Sequence, residues 1–193
     1  MDKLNQQLAF LLEADKMKTV LRQSLILDGS RRENDAEHSW HLALTALILR
    51  EYAAPEVDII RVLKMTLIHD LVEIYAGDTF AYDEPGNDTK EERERDAADR
   101  LFSMLPDEQD RELRGLWEEF DAMETPDALY AAAIDRFQSF YNIYNTDGYP
   151  WRLHGVTRGK IYKRMEIMRD AMPRLWDFVR ECIRDGVEKG FIK

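Results

Sequence analysis

Leu67-Ile68-His69-Asp70-Leu71-Val72-Glu73 sets three polar, metal-competent side chains inside an apolar run. Burying any of them without a partner costs several kcal/mol, so the run implies an ion or counter-charges that compensate them. On a helix, neighbouring residues point about 100° apart, so His69 and Asp70 can flank one ion while Glu73 returns to the same edge one turn on. A His-Asp pair by itself says little, because four histidines in an Asp-rich chain produce one by chance. A mononuclear site needs further ligands from other helices, namely a neutral imidazole and a carboxylate on inward faces. His38 and Asp135 qualify. Asp135 falls between Ile134 and Phe137, an expensive place for a lone carboxylate. The plainer alternatives are a capping or surface histidine at 38 and a carboxylate paired with Arg136 at 135. His41, one turn after His38, reads as a supporting or core histidine.

Outward from this stretch the apolar residues recur at helical spacing, with no sustained alternation bounded by turns, which predicts an all-α fold. Leu4, Leu8, Leu11 and Leu12 predict a first helix running to about Leu25, before the turn at Asp28-Gly29-Ser30. Asn34, with Glu37 three residues on, has the spacing of a capping box and opens a second, central helix whose body runs from Leu42 to Leu49. Pro55 suits the first turn of a third, carrying Ile59, Ile60, Leu63 and Leu67 into the His-Asp run and ending near Gly77. Residues 78–88, with Pro85-Gly86, read as an exposed loop. Lys90 to Arg100 reads as the solvated face of a helix that buries Leu101 and Leu105. Leu113, Leu116, Trp117 and Phe120 mark the next helix. Pro126 starts another, with Leu129, Ala133, Phe137, Phe140 and Tyr144 at core spacing and Asp135 within it. After a turn at Asp147-Gly148-Tyr149-Pro150, two last helices are expected, from about Thr157 to Met172 and from Pro173 to Glu188. That turn has the Gly-Tyr-Pro of cyclic-dinucleotide phosphodiesterases but none of the extra histidines of their multi-metal sites.

The 193 residues suit one domain, with a core from about 15 to 145 and C-terminal helices from about 157 to 188. With 27 basic against 38 acidic residues, the net charge of −11 repels a nucleic-acid polymer, while two or three local arginines can still hold a small phosphate ester. The lone cysteine, Cys182, excludes an intrachain disulfide and reads as buried filler. The apolar run Leu8–Leu12 is too short for a membrane span or a signal-peptide core, so the expected compartment is cytoplasmic.

The order His38, His69-Asp70 with Glu73 and Gly77-Asp78, then Asp135, resembles the HD-domain phosphohydrolases, in particular their 5'-deoxynucleotidase branch. The context Glu33-Asn34-Asp35-Ala36-Glu37-His38, the Gly-Asp after the His-Asp run, Met104-Leu105-Pro106 and Trp117-Glu118-Glu119 carry the likeness, over about residues 15 to 145. The resemblance implies an HD-domain helical bundle that hydrolyses a nucleoside 5'-monophosphate with a metal-activated water.

 It implies, in plain terms, release of inorganic phosphate from a small phosphomonoester. By the same resemblance His38, His69, Asp70 and Asp135 hold one divalent transition metal ion, Mn, Fe, Co, Ni or Zn. Glu73 handles the proton of the attacking water, Asp78 orients that water or the sugar, and Arg22 binds phosphate, with Arg31 and Arg32 as further phosphate candidates. An aromatic residue that helps select deoxyribose in the bacterial enzyme is replaced here by Gln23. The family also implies a homodimer. Two other readings stand beside it: an HD-fold di-iron oxygenase, which needs more ligands than His41 and His154 supply, and a metal-stabilised interaction module without catalysis.

Overall fold

The computed structural model describes residues 2–193. Helices dominate it, as the periodicity predicts. They are α1 (Lys3–Ala14), α2 (Asp35–Ile48), α3 (Ile59–Ile68), α4 (Glu73–Ala76), α5 (Glu84–Asp88), α6 (Lys90–Phe102), α7 (Asp107–Ala122), α8 (Pro126–Asn145), α9 (Tyr149–His154), α10 (Arg158–Met165), α11 (Ile167–Ala171) and α12 (Pro173–Glu188). Strands β1 (Leu21–Leu25) and β2 (Arg32–Asn34) form an antiparallel ribbon between α1 and α2.

Helix α8 is central to the packing and touches α2, α3, α7, α10 and α11. Its buried run Ala131-Ala132-Ala133-Ile134 explains why: small side chains let neighbouring helices approach from several directions. Thr125 caps it, its hydroxyl accepting the Ala128 N–H at 3.2 Å, and Pro126 occupies the first turn, where no N–H is needed. The capping box of α2 forms as expected, with Glu37 N–H on Asn34 Oδ1 at 3.0 Å and Asn34 N–H on Glu37 Oε2 at 3.2 Å. That box sets where α2 begins, and therefore which way Asp35 and His38 point.

Several expectations are corrected. The first helix stops at Ala14, passes through a tight turn over Asp15–Thr19, and gives way to β1. Its leucine stripe faces outward, Leu12 being 76% exposed, so the periodicity there does not mark a core face. The turn at Asp28-Gly29-Ser30 closes a hairpin: Gly29 takes φ +72° and the Asp28 carboxylate accepts the Ser30 N–H at 2.8 Å. The third helix begins at Ile59, because the Asp58 side chain accepts the N–H groups of Ile60 and Arg61 and caps it there. Pro55 lies in the preceding turn.

The His-Asp run is not continuous α-helix. After Ile68 the backbone tightens to i+3 bonds, Leu71 N–H on Ile68 O at 3.1 Å and Glu73 N–H on Asp70 O at 3.0 Å, before α4 forms and Gly77 ends it at φ +76°. Only part of residues 78–88 is the exposed stretch expected: residues 78–82 fold back, with Phe80 and Tyr82 packed on the core, while α5 forms in the largely exposed residues 83–88. Arg93 holds that fold, donating to Ala76 O at 2.5 Å, Thr79 Oγ1 at 2.8 Å and Gly86 O at 3.1 Å. The helix expected over Thr157 to Met172 is broken at Glu166 into α10 and α11, whereas α12 spans Pro173–Glu188 as predicted. Cys182 is buried among core side chains.

Candidate metal centre

His38 on the first turns of α2, His69 and Asp70 in the tightened turn after α3, and Asp135 on α8 converge under the ribbon. His38 Nε2 lies 3.0 Å from Asp135 Oδ1 and 3.7 Å from Asp70 Oδ2. His69 Nε2 lies 3.2 Å from Asp70 Oδ1 and 3.9 Å from Asp135 Oδ1. Both imidazoles are buried.

The surroundings decide which ring nitrogens carry protons. Gln138, one turn after Asp135 on α8, directs its amide NH2 to Glu33 Oε1 at 3.2 Å and His41 Nδ1 at 2.9 Å. Its carbonyl oxygen therefore faces His38 Nδ1, 2.8 Å away, and accepts the proton there. His69 Nδ1 donates to the backbone carbonyl of Thr66 at 3.0 Å. Each ring thus presents a bare Nε2 to the carboxylates, and His69 Nε2 is buried without a hydrogen-bond partner. Lone pairs facing carboxylate oxygens repel unless a cation or a shared proton lies among them. Two imidazoles and two carboxylates, each braced from behind, fit a divalent transition ion.

The carboxylates are tuned apart. Burial pushes the Asp70 carboxyl up, but His69 and Arg22 overcome it and hold the group well below the usual range. Asp135 is likewise lowered against its burial, by the hydrogen bond and charge that a shared proton on His38 Nε2 supplies where a cation would sit, and then by the same charge on His69. Burial raises Glu73 well above an ordinary glutamate, with the Asp70 charge adding to it. Burial and Asp70 push Asp35 up to about 7, and burial raises Asp78 against the pull of Arg22. Asp35, Glu73 and Asp78 bring their oxygens within 4.8 Å of one another, and Asp35 Oδ2 and Glu73 Oε2 are buried without partners. Such a group of carboxylates beside a metal centre can keep and exchange a proton near neutral pH.

Arg22 reaches in from β1. Its Nη1 donates to Asp70 Oδ2 at 2.6 Å and approaches Asp35 Oδ1 at 3.5 Å, while Nη2 approaches Ser139 Oγ at 3.5 Å. A cleft runs outward from Arg22 and Asp78 past Phe80, Tyr82, Phe140 and Trp151 to Arg136 and Arg164. Arg31 and Arg32 are not brought to this centre. Arg31 pairs with Glu37 on the surface at 2.6 Å, and Arg32 donates to Gln23 Oε1 at 3.1 Å. Strand alternation explains Arg32: it and the buried Glu33 point to opposite faces of β2.

Gln138 and Arg164 were not singled out from the sequence, and Glu33, Asp35 and Arg136 entered only as motif context or as a partner for Asp135. Asp35 stands at i−3 from His38 and Gln138 at i+3 from Asp135, a spacing that shares a helix face and so could have found them. His41 supports Gln138, as expected for a second histidine. His154 instead packs on Phe80, their ring centres 4.9 Å apart, and the carboxylate group beside the centre contains no histidine, so a di-iron reading lacks its ligands. Asp147 and Gly148 take positive φ, consistent with a turn.

Comparison with known proteins agrees with this arrangement. The chain is 25% identical over 174 residues to the 5'-deoxynucleotidase HDDC2 of Dictyostelium discoideum, covering 82% of this chain and 92% of that one. It is also 25% identical over 166 residues to the 5'-deoxynucleotidase HDDC2 of Danio rerio, covering 82% of each. The crystal structure of a predicted metal-dependent phosphohydrolase from Magnetospirillum magnetotacticum MS-1 superposes with a TM-score of 0.94 at 49% identity, over 98% of this chain and 95% of that one. A conserved hypothetical protein from Pyrococcus furiosus shares the fold at a TM-score of 0.63 and 22% identity, over 94% of this chain and 99% of that one. The HD domain model matches residues 14–176. Paired histidines and aspartates at the meeting of α2, α3 and α8, within a match of that extent, identify the chain as a member of the HD domain family.

Proposed function

We propose that the protein hydrolyses a small phosphomonoester, a nucleoside 5'-monophosphate, to the nucleoside and inorganic phosphate. The observation that carries this reading is the pair of bare, buried imidazole nitrogens facing Asp70 and Asp135, with Arg22 and the protonatable Glu73 beside them. His38, His69, Asp70 and Asp135 would hold one divalent ion, of Mn, Fe, Co, Ni or Zn type. Such an ion, when bound, acidifies water and offsets phosphate charge. Arg22 exchanges its Asp70 and Asp35 contacts for phosphate oxygens and neutralises charge as the transition state forms. Glu73 accepts the proton of the attacking water, for which its burial suits it. Asp78, at the inner end of the same cleft, orients that water or the sugar. A bond forms from water oxygen to phosphorus, the ester P–O bond breaks, and the nucleoside 5' oxygen leaves with a proton.

The test is phosphate release from ribo- and deoxyribonucleoside 5'-monophosphates, with each of the five metals added in turn to chelator-treated protein. We expect release with at least one metal and none after EDTA. With Gln23 lining the cleft, we expect no strong preference between ribose and deoxyribose. Hydrolysis confined to phosphate diesters, or none with any metal, removes the proposal.

We propose further that the protein acts as a homodimer in the cytoplasm, where its lone buried thiol stays reduced. Trp40, Leu44, Leu47 and Ile48 run exposed along α2, Ile48 at 68%, and Leu44 and Ile48 line one apolar groove with Leu27, Tyr141 and Phe178. A contiguous apolar patch of this kind marks an interaction surface. Sedimentation velocity is expected to show a dimer at micromolar concentration, and Ile48→Asp to dissociate it. A wild-type monomer throughout would end this part of the reading.

A further inference from the structure

Beyond the metal centre, the cleft ends in two arginines that no carboxylate serves. Arg136 and Arg164 line it together, and among the described residues neither has a carboxylate oxygen within 4.0 Å. Arg136 Nη1 donates to the backbone carbonyl of Arg164 at 3.2 Å, and Nη2 approaches Met123 Sδ at 3.2 Å. Elsewhere Arg22 is paired with Asp70 and Arg114 with Asp99, each at 2.6 Å, and Arg93 spends its donors on Ala76 O, Thr79 Oγ1 and Gly86 O. Nearby carboxylates are already engaged, Glu84 by Lys160 at 2.7 Å and Asp78 by the field of Arg22.

Two half-buried guanidinium groups facing one cavity in a chain of net charge −11 repel each other, and a bound anion offsets that cost. The wall between them and the centre adds a second observation. The Trp151 indole N–H is fully buried without an acceptor in bonding geometry, beside the Tyr82 hydroxyl. Phe80 and Phe140 complete an apolar, aromatic middle section suited to a flat ring.

We propose that the cleft binds a substrate anionic at both ends: the scissile phosphate at Arg22, a planar or sugar-sized body against the aromatic wall, and a second phosphate between Arg136 and Arg164. This rests on the phosphomonoesterase reading and names its substrate class, a nucleoside carrying a further phosphate away from the 5' position. Arg136 and Arg164 act as specificity residues that do not touch the reacting phosphorus.

Adenosine 3',5'-bisphosphate and adenosine 5'-monophosphate are the probes. The wild-type protein is expected to favour the bisphosphate about tenfold or more in kcat/KM for 5' phosphate release, the size of one charge-assisted hydrogen bond. In Arg136→Gln/Arg164→Gln the ratio of the two falls toward one, and Arg164→Lys keeps part of it. Equal kcat/KM on the wild-type protein overturns the proposal, and so does a preference that survives intact in the folded double variant. Calorimetric binding of the two nucleotides to wild-type protein separates this from failure of the phosphatase reading. If neither is hydrolysed, tighter binding of the bisphosphate still supports the second site and equal binding overturns it.

Discussion

Asp135→Asn is expected to abolish phosphate release, by about a thousandfold or more, and to leave the protein's melting temperature indifferent to added metal. The asparagine keeps the shape of the side chain on α8, so the packing around Ile134 and Phe137 survives. What it removes is the charge 3.0 Å from His38 Nε2 and 3.9 Å from His69 Nε2. The two imidazoles then face a neutral amide, and one of the two carboxylates offered to a divalent ion is gone. Metal content by mass spectrometry, melting with and without added Mn, and phosphate release read the three consequences separately. A variant that keeps stoichiometric metal and turns over within tenfold of wild type would show that Asp135 does not belong to the centre.

Glu73→Gln is expected to behave differently, keeping fold and metal while kcat falls by about 10²- to 10⁴-fold, the usual worth of a positioned general base. Glu73 is buried with one oxygen unpartnered, and burial followed by the Asp70 charge raises its affinity for a proton. Glutamine fills the same volume without accepting a proton from water. The decisive comparison is kcat against KM and metal affinity measured on the same preparation. If kcat stays within fivefold, the proton passes to Asp35 or Asp78, whose carboxyls burial also raises. If metal binding is lost together with kcat, Glu73 belongs among the ligands. Retained fold and metal with lost turnover also distinguishes an enzyme from a metal-stabilised interaction module.

How much of this was legible beforehand varies with the range of the forces involved. Asn34 with Glu37, Thr125 with Pro126, and Pro173 mark their helix starts through bonds and steric limits within four residues, which a sequence displays. The end of α1 was not legible, because its leucine stripe has the right period but faces outward. A hydrophobic period reports a face without saying what covers it. The break after Ile68 was hidden for a related reason: nothing between His69 and Val72 forbids α-helix, and the turn tightens where the chain packs against neighbouring elements.

The sequence by itself determined the helical class, the starts of α2, α6, α8, α10 and α12, and the set of side chains too costly to bury alone: His38, His69, Asp70, Glu73 and Asp135. These follow from local sterics, capping and desolvation, which act residue by residue. The tertiary structure decided the rest: which nitrogen of each histidine is bare, that Arg22 and not Arg31 or Arg32 reaches the centre, and that Arg136 and Arg164 share a cleft without a counter-charge. Those outcomes depend on Gln138 meeting His38 and Glu33 across about a hundred residues of chain, and on a short ribbon turning Arg22 inward. Contacts between distant segments exist only once the helices have packed, and local pattern carries no record of them.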